Sequence, residues 1–67
     1  MMTPLQSKLI DGVSYDENTR QLTLFMGNGH RRDYVDVPRY VYDDLLVAKS
    51  PGSYYFKLIK PKFTLAD

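Results

Sequence analysis

The sequence predicts a small α+β domain in which a three-stranded antiparallel β-meander is followed by two short helices packed on one face. Three observations predict this class. Residues 20–26 alternate between apolar and polar side chains, which is the period of a strand with one buried face. Asn28-Gly29, between two strand-like runs, is typical of a tight hairpin. After Pro38 the apolar residues recur at helical spacing instead.

The composition is that of a folded domain. The chain has 67 residues, which is enough for one small core, and 43% hydrophobic residues with a net charge of +1 argue against a disordered segment. Cys is absent, which excludes disulfides, thiolate metal sites and thiol nucleophiles. No apolar run has the length of a membrane span, and the N-terminus lacks the apolar core of a signal peptide. We therefore expect a cytoplasmic protein that does not enter a membrane.

The domain boundaries follow from where these patterns begin and end. We expect a single domain over residues 7–63, between a flexible lead-in at 1–6 and a tail at 64–67. Charge is unevenly distributed along the chain, with −2 over residues 1–44 and +3 over residues 45–67. A basic end of this kind is a mild electrostatic signal for an anionic partner.

The first strand is predicted to begin near Ser7 and to end at a turn over residues 16–19, where Asp and Asn favour turn conformations. Gly12 in its middle predicts a β-bulge or a close approach of another backbone. A bulge there would let Ile10 and Val13 both face inward.

The second strand and the third, residues 30–37, form the predicted hairpin. Asn28 and Gly29 predict a type I′ turn, because both central residues of that turn need a positive φ. The buried face of the second strand is expected to consist of Leu22, Leu24 and Met26.

Pro38 ends the third strand and suits the first position of a helix, where its missing N–H costs nothing. Val41, Leu45 and Ala48 then recur at positions i, i+4 and i+7. This spacing predicts an amphipathic helix of about three turns that covers the buried face of the sheet.

The segment 53–60 is compatible with two structures. Its apolar spacing favours a short helix, capped by Ser50 or Ser53 and ended by Pro61, whereas its β-propensity would favour a strand. We favour the helix and expect Phe63 to fold back onto the core.

An ordered series of short motifs runs along the chain: Val13-Ser14-Tyr15-Asp16, Asn28-Gly29, Asp36-Val37-Pro38, Val41-Tyr42, Ser50-x-Gly52 and Tyr55-Phe56. The series, over residues 7–63, resembles the KTSC domain, which occurs at the C-terminus of some lysyl-tRNA synthetases and as small stand-alone bacterial or phage proteins. The resemblance implies the fold and, through the synthetases, an association with RNA. Arg32 replaces the first aromatic of the family's Tyr-x-Tyr pair, and Lys57 replaces an Asn.

The sequence offers little for catalysis. There is one His and no Cys, and no motif pairs a nucleophile with a base. Asp43 and Asp44 are adjacent on a helix, so their side chains diverge by about 100° and cannot form a carboxylate dyad. His30 has no partner ligands at the spacing of a zinc site. We therefore expect a non-catalytic binding module without a cofactor or a metal.

RNA binding is the first functional hypothesis, with transfer RNA or single-stranded RNA as the partner. Basic side chains would contact phosphates and tyrosines would stack on unpaired bases. The ordinary alternative is that the tyrosines fill the core and the lysines keep the domain in solution. The predicted nucleic-acid-binding residues are Arg31, Arg32, Tyr34, Lys49, Tyr54, Lys57, Lys60 and Lys62.

The second hypothesis is a protein-interaction module, such as a small phage or bacterial regulator that binds a host protein. It predicts a mixed apolar patch around Phe25, Val35 and Tyr54, with weaker salt dependence than RNA binding would show.

Overall fold

A five-stranded antiparallel sheet, in which the strands neighbour one another in chain order, forms one layer of the domain. The computed structural model describes residues 2–66. The strands are β1 (Thr3–Pro4), β2 (Ile10–Asp16), β3 (Gln21–Met26), β4 (Arg31–Val35) and β5 (Thr64–Leu65). The helices are α1 (Arg39–Val47) and α2 (Pro51–Tyr54), and α2 continues as a π-helical segment (Tyr55–Ile59).

The α+β class and the two helical elements are confirmed, but the predicted number of three strands is wrong. The two further strands lie in the segments that were expected to be a flexible lead-in and a tail. Thr3 of β1 pairs with Val13, and Leu65 of β5 pairs with Tyr34. Each added strand has only two residues, which is too short for a period-2 pattern to be visible in the sequence.

The predicted bulge in β2 is confirmed. The register of the β2–β3 pair shifts between Ile10 and Gly12, and both Ile10 and Val13 are fully buried. A Cβ atom at Gly12 would lie 3.0 Å from the carbonyl oxygen of Thr3, so the glycine also permits the close approach of β1.

The β3–β4 hairpin forms where it was predicted but with a different turn. The Gly29 amide donates to the carbonyl of Met26 at 3.0 Å, and the Met26 amide donates to His30 at 2.8 Å. These bonds enclose a three-residue loop in which Gly29, at φ 90°, takes the left-handed conformation, whereas Asn28 does not. The expected type I′ turn is therefore replaced by the three-residue hairpin loop that ends in a glycine bulge.

The helix α1 begins one residue later than expected. Pro38 has an extended ψ of 150° and acts as the N-cap, so Arg39 is the first helical residue. Tyr15 donates its hydroxyl to the carbonyl of Val37 at 2.5 Å and thereby ties the start of the helix to β2. The inward positions of α1 are Val41 and Leu45, as the spacing predicted, but Ala48, the third predicted position, is the extended C-cap residue just past the helix.

The segment after α1 is helical, as favoured. Ser50 caps α2 by accepting a hydrogen bond from the Ser53 amide at 3.4 Å. The following turn widens, because the Lys60 amide donates to the Tyr55 carbonyl five residues earlier, at 2.8 Å. Phe63 packs against the core from beyond this turn.

The core lies between one face of the sheet and the helices. It consists of Ile10, Val13, Leu22, Leu24, Met26, Tyr34, Val37, Val41, Leu45, Tyr55 and Ile59. The opposite face of the sheet, which we call the open face, carries mainly polar side chains. In residues 2–66 no helix is long and apolar enough to cross a membrane.

Candidate nucleic-acid interface

The two arginines of β4 point to opposite sides of the sheet, because successive residues of a strand alternate in direction. Arg31 lies on the open face, where its Nε is 3.1 Å from the carboxylate of Asp33. Arg32 stands opposite Leu24 of β3, a core residue, and so lies on the helical side. The two arginines therefore do not converge into the one basic patch that the sequence predicted.

Arg32 lies at a groove between the β-hairpin and the π-helical segment. The groove has a volume of about 390 Å³. Buried Met26 and Tyr55 contribute apolar surface to it, and Phe56 is 63% exposed beside it. We call it the basic groove, and its lining consists of Lys8, Leu9, Met26, Asn28, Arg32, Tyr55, Phe56 and Lys60.

The cations of the basic groove have no ion-pair partners in residues 2–66. The salt bridges there join Arg31 to Asp33 and Arg39 to Glu17 and Asp43. No carboxylate oxygen of that part of the chain lies within 4.0 Å of a charged nitrogen of the three lining cations, which are Lys8, Arg32 and Lys60.

Lys60 also lies beside the exposed aromatic ring of the basic groove. Its Nζ is 4.9 Å from the ring centroid of Phe56. The groove thus presents positive charge that no carboxylate of residues 2–66 neutralises, together with an accessible aromatic ring.

A second groove continues from the first on the side of β5. We call it the C-terminal groove; it has a volume of about 530 Å³. Arg32, Tyr55 and Lys60 line both grooves and so form the boundary between them. The rest of its lining is Tyr34, Phe63, Thr64 and Leu65.

Tyr34 is a core residue and not a stacking platform. It is only 2% exposed, and its hydroxyl lies 3.0 Å from that of Tyr55, whose ring it meets edge-on. Burial, together with this hydrogen bond, raises the pKa of Tyr34 far above the ordinary value of 10.0. Tyr34 therefore fills the core, which was the alternative to the predicted stacking role.

The remaining predicted residues lie outside both grooves. The hydroxyl of half-buried Tyr54 donates to Asp44 on α1 at 3.4 Å, and burial followed by the Asp44 charge raises the pKa of Tyr54. Lys49 lies between α1 and α2 and lines a separate depression together with Pro4 and Pro51. Lys57 and Lys62 are exposed and line neither groove. Of the eight predicted residues, the structure brings Arg32 and Lys60 together, with Tyr34 buried behind them.

The predicted protein-interaction patch is not one surface. Phe25 pairs with Arg31 and shares the open face with it, and Val35 follows on the same face by alternation. Tyr54 lies on α2 in the helical layer, beyond the sheet. The three residues therefore do not form the compact patch that was expected.

Sequence reasoning missed two important residues of the basic groove, Lys8 and Phe56. Lys8 comes from the segment before β2, which contacts the hairpin through the Gly27 amide and the Leu9 carbonyl at 2.8 Å. No local pattern indicates that contact. The exposure of Phe56 could have been predicted from the sequence. Tyr55 and Ile59 are spaced as a buried i, i+4 pair, and Phe56, one position after Tyr55, therefore lies on another face of the helix.

The arrangement of strands and helices is that of a known family. The model of the KTSC domain matches residues 6–63. The chain belongs to the KTSC domain family. A crystal structure of a KTSC domain protein from Yersinia pestis has a TM-score of 0.93 and 25% sequence identity, and the match covers 100% of this chain and 94% of that one. The resemblance read from the sequence is confirmed.

Two relatives match this chain over very different shares of their own length. A protein of Tsukamurella paurometabola is 37% identical over 62 residues, with 92% of both chains covered. A lysine–tRNA ligase of Nostoc punctiforme is 36% identical over 58 residues, which are 87% of this chain and 10% of the ligase. This chain thus matches almost the whole of the Tsukamurella paurometabola protein and about a tenth of the Nostoc punctiforme ligase.

Proposed function

We propose that this KTSC domain is a non-catalytic module that binds unpaired RNA in the basic groove. The observation that carries the proposal is the set of cations that have no carboxylate partner among residues 2–66 and surround an exposed aromatic ring, Phe56. Single-stranded RNA is bound by this combination, since cations contact phosphates and aromatic rings stack on bases.

Transfer RNA is the RNA that we propose to test first. The Nostoc punctiforme relative is named a lysine–tRNA ligase, and its similarity to this chain covers a tenth of its length. The loops and ends of a folded RNA supply the unpaired bases that an exposed aromatic ring requires. An unstructured oligonucleotide tests whether the fold of transfer RNA is needed.

The experiment compares two adjacent arginines that lie on opposite faces of the sheet. Labelled transfer RNA and an unstructured RNA are titrated with the wild-type protein, Arg32→Ala and Arg31→Ala, and binding is followed by fluorescence anisotropy. Arg32→Ala is expected to weaken binding about tenfold, because it removes a charged contact to phosphate. Arg31→Ala is expected to change the Kd less than twofold, because Asp33 already neutralises that guanidinium.

Two results would overturn the assignment. Equal losses from Arg31→Ala and Arg32→Ala would move the interface away from the basic groove. No binding of either RNA by the folded wild-type protein would reject the RNA hypothesis and direct the search to a protein partner.

A further inference from the structure

The basic groove and the C-terminal groove meet at two cations, Arg32 and Lys60, which line both. Each groove also has apolar surface of its own. On one side are Phe56 and Leu9, which are 63% and 44% exposed, and on the other are half-buried Phe63 and Leu65, which is 47% exposed. The order across the surface is therefore an apolar site, a pair of cations and a second apolar site.

This order matches the chemistry of two consecutive nucleotides, in which one phosphate separates two bases. We infer that Arg32 and Lys60 hold the phosphate that joins two nucleotides, and that each groove takes one of the two bases. The inference rests on the proposed function and deepens it, because it states the length of RNA that the site recognises. Both volumes, about 390 and 530 Å³, lie within the range of small-molecule sites.

The polar atoms of the basic groove suit the edge of a base. The Oδ1 atom of Asn28 accepts a hydrogen bond from the His30 amide at 3.0 Å, which leaves the side-chain NH₂ to donate to a ligand. Phe56 would stack on the same base. On the side of β5, Leu65 pairs with core residue Tyr34 and so shares the face of the C-terminal groove, whereas Thr64 pairs with Val35 and directs its side chain to the open face.

The test compares uridylyl-uridine, which has two bases and one bridging phosphate, with uridine 5′-monophosphate. Both are titrated at millimolar concentrations into the ¹⁵N-labelled full chain. The mononucleotide carries the larger negative charge, since a terminal phosphate has about −1.5 to −2 at neutral pH and a bridging phosphate has about −1. Charge alone would therefore favour the mononucleotide.

We expect the opposite order. Uridylyl-uridine should bind at least about tenfold more tightly, because it gains a second base contact. It should shift amides on both sides of the boundary, near Asn28 and Phe56 and near Phe63 and Thr64. Tighter binding of the mononucleotide, shifts confined to one groove, or no shifts with uridylyl-uridine would each overturn the inference.

Phe56→Ala and Leu65→Ala test the two sites separately. Phe56→Ala should lower the affinity for uridylyl-uridine about tenfold and remove the shifts near Asn28 while those near Thr64 remain. Leu65→Ala should have the reverse pattern. Tyr40→Ala is the matched control, because Tyr40 is also 63% exposed but lines neither groove. Loss of both sets of shifts in either groove variant would contradict two separate sites.

Failure of the inference can be distinguished from failure of the proposed function. If a longer RNA binds with the expected dependence on Arg32 but uridylyl-uridine does not contact both grooves, only the dinucleotide assignment is wrong. If neither RNA shifts any amide of either groove, the RNA-binding function itself is rejected.

Discussion

Asp33 decides which of the neighbouring arginines remains free for a ligand. Its carboxylate accepts a hydrogen bond from the hydroxyl of buried Thr23 at 2.6 Å and from Arg31 at 3.1 Å. The Thr23 hydrogen bond, together with the contact to Arg31, holds the pKa of Asp33 below its usual value of 3.8, although burial acts in the opposite direction. Asp33 thereby neutralises Arg31 on the open face, whereas Arg32 on the helical side has no ion-pair partner within the described residues 2–66.

Replacement of Asp33 by Asn should destabilise the fold by about 1 kcal/mol at neutral pH, because it weakens both hydrogen bonds. A carboxyl whose pKa is lowered by folding contributes stability that is complete above its unfolded pKa and is lost as the pH falls through the folded pKa. The free-energy difference from wild type should therefore shrink in acid, as measured by urea unfolding at neutral and acidic pH.

Asp11→Asn, an exposed carboxylate on β2, is the control for this measurement. It should leave the free energy of unfolding at neutral pH nearly unchanged. If Asp33→Asn lowers the free energy of unfolding equally at neutral and acidic pH, the charge of Asp33 is not what stabilises the fold.

At the scale of elements, α2 and its π-helical continuation form the wall that the two grooves share. The element is too short to be stable in isolation and depends on burial of Tyr55 and Ile59 against the core. Phe56 follows Tyr55 and Lys60 follows Ile59, so both lie beside the buried positions and line the basic groove. Single π-helical turns within helices occur frequently at functional sites, which agrees with the proposed role of this one.

Ser50→Ala should destabilise the domain by about 0.5 to 1 kcal/mol, because it removes the side-chain cap of α2. We expect the lower part of the usual range, since the bond from the Ser53 amide to the Ser50 hydroxyl oxygen is 3.4 Å long. The midpoint and slope of urea denaturation measure the effect. Ser53→Ala keeps the capped amide and should change stability little, so an equal loss from Ser53→Ala would contradict the capping role.

For the whole molecule, the distribution of charge matters more than its total. The net charge is only +1, so the protein as a whole does not attract nucleic acid strongly. Ion pairs neutralise Arg31 on the open face and Arg39 at the start of α1. The cations of the basic groove, which form no ion pair in the described part of the chain, are therefore a local positive site on a nearly neutral protein.

This distribution predicts a moderate dependence of RNA binding on salt. Two phosphates, one held by Arg32 and Lys60 and one by Lys8, give a slope of about −1.4 in log K against log salt, so affinity should fall roughly 7-fold for a fourfold rise in salt. Lys8→Ala should reduce the slope by about 0.7, the contribution of one phosphate of single-stranded RNA. Lys49→Ala, which removes the same charge outside both grooves, should leave the slope unchanged; a slope near zero for wild type would argue against phosphate contacts.

The sequence by itself determined the α+β class, the bulge at Gly12, the position of the hairpin and the inward residues of β3 and α1. It also indicated that residues 53–60 are helical. These features depend on neighbours a few positions apart, because side-chain period, turn chemistry and capping are local properties of the chain. The turn type was less well determined, since Gly29 supplies a positive φ to more than one kind of hairpin loop.

The tertiary structure alone decided the remaining strands and the site. β1 and β5 exist because their backbones pair with β2 and β4, and two residues are too few to show a strand period. Strand alternation could have separated Arg31 from Arg32, but nothing local places Lys8 beside Phe56, which is 48 positions away in the sequence. A groove forms where segments distant along the chain come together, so its lining is determined by packing rather than by any local pattern.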